Sequence, residues 1–340
     1  MPSDQPPGGL SPHKVPMFIM IGFDDNPHVE PMSWILDYAL ELKNPAGVGQ
    51  HETFDGKPVR FAFYSNGTYL DKSAELAALH YRAWLSGHEV TNHTHNHLQG
   101  GEFTKQQWLA EMDLCRRSLL ECGIVNEAQN GFRTPFLAYN DATFSAAQEM
   151  GFVYDTSIEE GYQADHDGTN FLWPYTLDEG SPGNRVITKP DSIKRVSSHP
   201  GLWEIPLHVL IVPPDERSAD FDLRPGLTQR IEDFVKANGN WNWSREARKI
   251  SGLDWNVFEA AGCNGPEFLA ILKHTLELRL AGNRAPLMVG AHTALFPAHL
   301  PDRREALEAF IAHALRHPEV RFVTPMQLIR WLKNPVALGQ

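Results

Sequence analysis

Met17-Phe18-Ile19-Met20-Ile21-Gly22-Phe23-Asp24-Asp25-Asn26-Pro27 decides how the rest of the chain is read. The run from Met17 to Phe23 is almost continuously apolar, as expected of a parallel strand buried on both faces, and it is far too short to cross a bilayer. Asp24 and Asp25 then fall at its C-terminal end, where α/β barrels gather their chemistry. An Asp-Asp pair alone is most often a turn or a helix cap, so its meaning depends on what arrives beside it.

Outward from this strand, strand and helix patterns alternate. Ser33 can cap a helix through Leu42, and a second strand is read at Val59 to Tyr64. Asp71 or Ser73 starts a helix to about Ser86, closed by Gly87. Thr104 to Glu121 is helical, with Trp108, Met112, Cys115 and Leu119 on one side. Short strands follow near Asn130 to Phe132 and Val153 to Asp155, with a helix from Asp141 to Met150 between them. Leu202 to Leu210 returns to strand character, although Pro206 disfavours a central place in a sheet. Glu267 to Leu280 is a helix, Pro286 to Gly290 a strand, and a last helix, strand and helix run from Arg303 to Leu332.

This alternation predicts one α/β domain, a barrel, over residues 17–333. Two irregular insertions, about 159–200 and 212–265, interrupt it. The Pro/Gly/Ser-rich segment 1–16 reads as flexible and lacks the apolar core of a secretory signal, and 334–340 is a tail. With 340 residues and 42% hydrophobic content, a large core is within reach. The net charge of −12 argues against nucleic-acid and anionic-membrane partners, each of which requires a basic patch. Three cysteines, Cys115, Cys122 and Cys263, make no disulfide framework, and the first two are placed on one helix.

Behind the next strand stands His88-Glu89-Val90-Thr91-Asn92-His93-Thr94-His95-Asn96-His97. Alternate residues of an extended segment share a face, and a bend after the strand leaves two of the three last imidazoles convergent. Two imidazoles and a carboxylate from elsewhere make an open metal site of the zinc type. The competing reading is a solvated polar loop. Asn92-His93-Thr94 also fits a glycosylation sequon, which is discounted because a sugar there blocks the metal site. Arg133, in Phe132-Arg133-Thr134-Pro135-Phe136, and His292 arrive at two further strand ends. Singly they are a surface ion pair and a packing residue. Together with Asp24 and Asp25 they supply what hydrolysis needs: a metal site, a base, a cation to hold that base ionised, and an acid.

In this order the motifs Gly22-Phe23-Asp24-Asp25, His93-Thr94-His95-Asn96-His97, Phe132 to Phe136 and Met288-Val289-Gly290-Ala291-His292 resemble those of the polysaccharide deacetylases, carbohydrate esterase family 4. The resemblance runs from about Val15 to Leu332. Leu172 to Tyr175, Leu202 to Glu204 and Asn283 to Leu287 look most like the branch that includes the insect chitin deacetylases. The resemblance implies a distorted (β/α)7 barrel. It implies Asp24 as general base, Asp25, His93 and His97 as metal ligands with His95 pointing away, and Arg133 as the holder of the base. It further implies the Phe136 backbone N–H as an oxyanion donor, His292 as general acid and Trp203 as a wall of the acetyl pocket. Zn2+ is the first expectation, with other divalent metals as alternatives.

Three departures from the family pattern stand out. Gly22 replaces Thr, Phe136 replaces Tyr, and the acid that tunes the histidine is missing, since only Trp203-Glu204 stands near its place. His292 therefore lacks an assigned partner.

The implied activity is removal of N-acetyl groups from N-acetylglucosamine-containing glycans. The rivals are an acetylxylan O-deacetylase, a cyclic imide or ureide hydrolase, and a non-catalytic glycan-binding module. Trp173, Trp241, Trp243 and Trp255 are candidates for stacking on sugar rings, with packing under the loops as the alternative. A glycan substrate implies a secreted or periplasmic protein. Oligomeric state is not legible.

Overall fold

The computed structural model describes every residue except 1, 183, 187–188, 240–242 and 340, with backbone only at 184–186 and 189–193. Its centre is β1, Met17–Asp25, whose two faces are both buried. Phe18 and Met20 point inward and pack with Ala62, Tyr64, Tyr154 and Met288. Their neighbours Met17, Ile19, Ile21 and Phe23 point outward against the helices. This period-2 split is what a continuous apolar run produces when helices cover the sheet outside and side chains fill it inside. Each such side chain, fully buried, contributes roughly 1.5–3 kcal/mol.

Eight parallel strands form the curled sheet: β1, β2 (Ala62–Ser65), β3 (Glu89–Asn92), β4 (Gly131–Phe132), β5 (Tyr154–Asp155), β7 (Trp203–Glu204), β8 (Leu287–His292) and β9 (Val320–Phe322). A ninth, β6 (Tyr175–Thr176), runs antiparallel to β7 at one edge. The order is β8-β1-β2-β3-β4-β5-β7-β6, with β9 on the first residues of β1 and β8 on its remainder. This is the distorted α/β barrel expected from the sequence. Its wall is not continuous, because β7 and β8 do not pair.

The gap between β7 and β8 is occupied by pieces of the two insertions. Leu207–His208 pairs with Glu159–Glu160, and Leu253 bridges in parallel to Gly290 of β8. Gly290 N donates to Gly252 O at 2.9 Å. A Cβ at Gly290 would stand 2.4 Å from the end of the Leu253 side chain, so any larger residue there would make that side chain move.

The helices α1 (Val29–Ala39), α2 (Gly67–Lys72), α3 (Ala74–Leu85), α4 (Lys105–Glu121), α5 (Asp141–Glu149), α6 (Leu227–Asn238), α7 (Gly265–Ala281), α8 (Pro301–Ala314) and α9 (Pro325–Lys333) complete the fold. Thr104, Asn140, Asn264 and Thr324 each cap a helix with a reciprocal side-chain box. Ser73 caps α3, one of the two starts read from the sequence. Ser33 is not a cap. It lies inside α1, which begins at Val29 and places Pro31 in its first turn, where a missing N–H costs nothing. The second strand starts later than expected, at Ala62, and the strand read over Leu202 to Leu210 is broken twice, around Pro206 and at Val209, into three short pieces. Residues 2–16, read as flexible, lie against the barrel: Ser3 O accepts from Trp173 N at 2.8 Å and Asp4 O from Asn283 Nδ2 at 2.6 Å. Cys115, Cys122 and Cys263 are free thiols.

Candidate active site

The strand register assembles the site. Asp24 is the Cα partner of His292 across β1 and β8, and of Tyr64 across β1 and β2. Parity then sends Asp24, His292, His93 and Arg133 to the C-terminal mouth of the barrel interior.

Asp24, 3% exposed, accepts from the fully buried Arg133 guanidinium, Nη1 to Oδ1 2.7 Å. Arg133 also donates through Nε to Thr156 O at 3.1 Å, and its Cζ lies 4.3 Å from the Tyr64 ring centroid. Burial disfavours the guanidinium, yet Asp24 more than offsets this and raises its pKa. The departure at Gly22 now has a cause. A Cβ there would be 2.8 Å from the Tyr64 ring and 3.3 Å from the Arg133 guanidinium. The space belongs to Tyr64, whose ring forms a shelf for Arg133.

Asp25, His93 and His97 form a second group whose ligand atoms lie within 4.8 Å of one another. Asp25 Oδ1 is 3.4 Å from His93 Nε2 and 3.1 Å from His97 Nε2. His93 Nδ1 lies 2.7 Å from Arg133 O. A carbonyl can only accept, so Nδ1 carries the proton and Nε2 presents its lone pair to the group. Asp25 Oδ1 is buried with no hydrogen-bond partner. Asp25 Oδ1 and the His93 Nε2 lone pair thus converge beside His97 Nε2, and this donor set of two imidazoles and one carboxylate fits a divalent cation. Burial alone would raise the Asp25 carboxyl. Protonated imidazoles at His93, His97 and His292 would hold it well below the usual carboxylate range, a role that a bound cation takes over when their lone pairs face it.

His95 does not join this group. Its Nε2 faces Asp71 Oδ2 at 3.7 Å. The loop is shaped from α4: Glu111 Oε2 accepts from His95 N at 3.2 Å and Asn96 N at 2.8 Å. Asp25, Asn26, Thr94, His97, Phe136 and Leu137 all adopt positive φ, so the strain accepted by non-glycine residues gathers around this mouth. Phe136, 63% exposed, sits with its ring 4.6 Å from that of His97.

His292 has a partner that was not legible in the sequence. Asp254, in the segment that fills the gap beside β8, places Oδ1 2.6 Å from His292 Nδ1 and accepts from His292 N through Oδ2 at 2.7 Å. Burial disfavours the imidazolium, but the wholly buried Asp254 carboxylate outweighs it and holds the His292 pKa up, at about 9. Glu204, which stands near the place expected for this acid, is instead buried against Asp155, with Oε1 accepting from Ile158 N at 3.2 Å.

Trp203 is partly buried and packs with the interior cluster. Trp173 and Trp243 are 3% exposed and serve packing, Trp255 beside Asp254 is 42% exposed, and Trp241 lies outside the described residues.

Fold and site together define an α/β barrel protein that gathers Asp24 with Arg133, Asp25 with His93 and His97, and His292 with Asp254 at its strand ends. Residues 16–154 match the family model of the polysaccharide deacetylases. Chitin deacetylase 1 of Bombyx mori is 26% identical over 340 residues, which are 97% of this chain and 53% of that protein. The chain therefore spans about half the length of the curated relative it matches. A Mycobacterium smegmatis structure assigned to the polysaccharide deacetylases superposes with a TM-score of 0.59 at 16% identity, covering 98% of this chain and 95% of that one, a likeness of fold. Among the described residues no helix is long and apolar enough to cross a membrane.

Proposed function

We propose that the protein is a metal-dependent deacetylase that removes N-acetyl groups from N-acetylglucosamine-containing glycans, chitin or its oligomers, and releases acetate. The observation that carries this reading is the juxtaposition of Asp24–Arg133, Asp25–His93–His97 and His292–Asp254 at one barrel mouth. Asp25, His93 and His97 hold the metal, for which zinc is the first choice. When bound there, such a cation supplies Lewis acidity, polarising the amide carbonyl and acidifying water.

The chain's own groups do the rest. Asp24, held in place by the Arg133 guanidinium, takes the proton of the attacking water. The Phe136 N–H helps bind the developing oxyanion. His292, protonated at neutral pH because Asp254 is beside it, gives its proton to the leaving nitrogen. The exposed Phe136, against His97, and the exposed Trp255, next in sequence to Asp254, suit the faces of a sugar ring. The name of the silk-moth relative favours chitin over acetylated xylan or a cyclic imide, and the intact acid–base pair favours catalysis over a binding module. Work on such glycans places the protein outside the cytoplasm.

The test is acetate release from an N-acetylglucosamine oligomer by metal-stripped protein, before and after zinc is added, with acetylated xylan in parallel. Zinc-restored release from the oligomer is expected. Release only from xylan would overturn the substrate, and none from either, with zinc bound, would overturn the deacetylase reading.

A further inference from the structure

Away from the site just described, a buried cation lacks an anion. Arg279, in the last turn of α7, has no exposed surface. Its Nε, Nη1 and Nη2 all lack a hydrogen-bond partner among the described residues. Its contact is with the face of Phe171, Cζ to centroid 4.0 Å. A guanidinium carries five donors and does not lose its proton in proteins, so it cannot escape the cost of burial by neutralising. The ring face of Phe171 offsets only part of that cost.

The other two fully buried arginines are treated differently by the fold. Arg133 holds Asp24 at 2.7 Å and Arg321 holds Asp55 at 2.6 Å. Around Arg279 the neighbours are of the wrong kind. His208 stacks on Phe171 at 5.0 Å, and the His166 ring stands 6.0 Å from it. Both imidazoles feel Arg279 as a repelling charge. Burial pushes the Arg279 pKa well down, and no carboxylate among the described residues offsets it.

We propose that Arg279 forms a buried anion site, in which a small monovalent anion of halide size sits against the guanidinium between α7 and the loop carrying Phe171. Water would satisfy donors there but would leave the charge uncompensated, and an anion supplies both. The loop is already fixed to the end of α7: Asn283 N donates to Thr169 O at 2.7 Å and Asn283 Nδ2 to Phe171 O at 2.6 Å. The anion therefore meets a preformed wall and does not have to order one.

Bromide is the probe. Crystals of the full chain grown in sodium bromide are expected to show an anomalous peak within hydrogen-bond reach of the Arg279 guanidinium. In solution, with ionic strength held by sodium gluconate, the melting midpoint of the wild type should rise by about 2 °C for each tenfold increase of bromide above half-saturation. The Arg279→Met variant, of similar volume, should show no such rise. Ordered waters around the guanidinium with no bromide peak would overturn the proposal, as would an equal bromide response in wild type and variant. Should the variant fail to fold, the wild-type crystal decides alone.

Discussion

Asp254→Asn isolates the charge that keeps His292 protonated. In the wild type burial lowers the imidazole and the Asp254 carboxylate raises it to about 9, above its ordinary 6.5. The acid form is therefore present below that value and is lost as pH rises through it. Asparagine keeps the volume but not the charge. Its carbonyl can still accept from His292 N, and its amide then donates to Nδ1, which favours the neutral ring. The pKa should fall at least to the ordinary value, a drop of about 2.5 units or ~3.4 kcal/mol.

At pH 8 the protonated fraction then falls from about 90% to about 3%, so a step that needs the acid slows about 30-fold, and at pH 6 most of the loss is recovered. Two measurements check this: an NMR titration of His292 in metal-free protein, and kcat against pH with zinc. A bound cation neutralises the share contributed by Asp25, so the kinetic limb should lie at or below the NMR value. An unmoved NMR midpoint would refute the reasoning, as would an equal loss of kcat at pH 6 and pH 8.

The other expectations concern the mouth and its supports. Asp24→Asn should keep zinc binding in a chelator competition and lose about 10²–10⁴-fold in turnover, whereas His93→Ala should lose both; activity near wild type in either variant would sink the roles given to them. Gly22→Ala should cost about 1–3 kcal/mol in urea unfolding because its methyl meets the Tyr64 ring, and Tyr64→Leu should relieve that cost, so simple additivity of the two changes would be evidence against the shelf. Glu111→Gln should weaken zinc affinity by about 10–100-fold by releasing the His95–Asn96 backbone, with an unchanged affinity counting against that support.

Much of this site was legible in the sequence because period-2 alternation carries it. Once Met17–Phe23 is read as a buried strand, Asp24 and Asp25 fall at its C-terminal end and a bend after Asn92 leaves two of three imidazoles convergent; which two, and which aspartate does what, came only from the resemblance of the motifs. Asp254 was hidden for a physical reason. It lies in a long stretch without regular periodicity, and its partner is 38 residues further on. The signal that marks it is weak: Gly252-Leu253-Asp254, a glycine permitting close backbone approach followed by an apolar and an acidic residue. The role of Gly22 was also hidden, because a missing side chain says nothing about which neighbour takes its space. Helix starts failed where an apparent cap, Ser33, lay beyond a proline-led first turn. The strand read over Leu202 to Leu210 is broken near Pro206, where the proline already spoke against a central place, and again at Val209, where local apolar character reveals no break in pairing.

The gap between β7 and β8 separates two tasks that a closed barrel would merge. Asp24 and His292 sit on strands whose register is fixed by the core, so altering their spacing would mean rebuilding the sheet. Asp254 comes instead from a segment tied to the wall by one parallel bridge and the Gly290–Gly252 bond. Lengthening or trimming the stretches on either side would leave every strand pair of the curled sheet in place. The proton affinity of His292 is thus written on an interchangeable part and can be reset without touching the frame of strands that aligns Asp24 with His292.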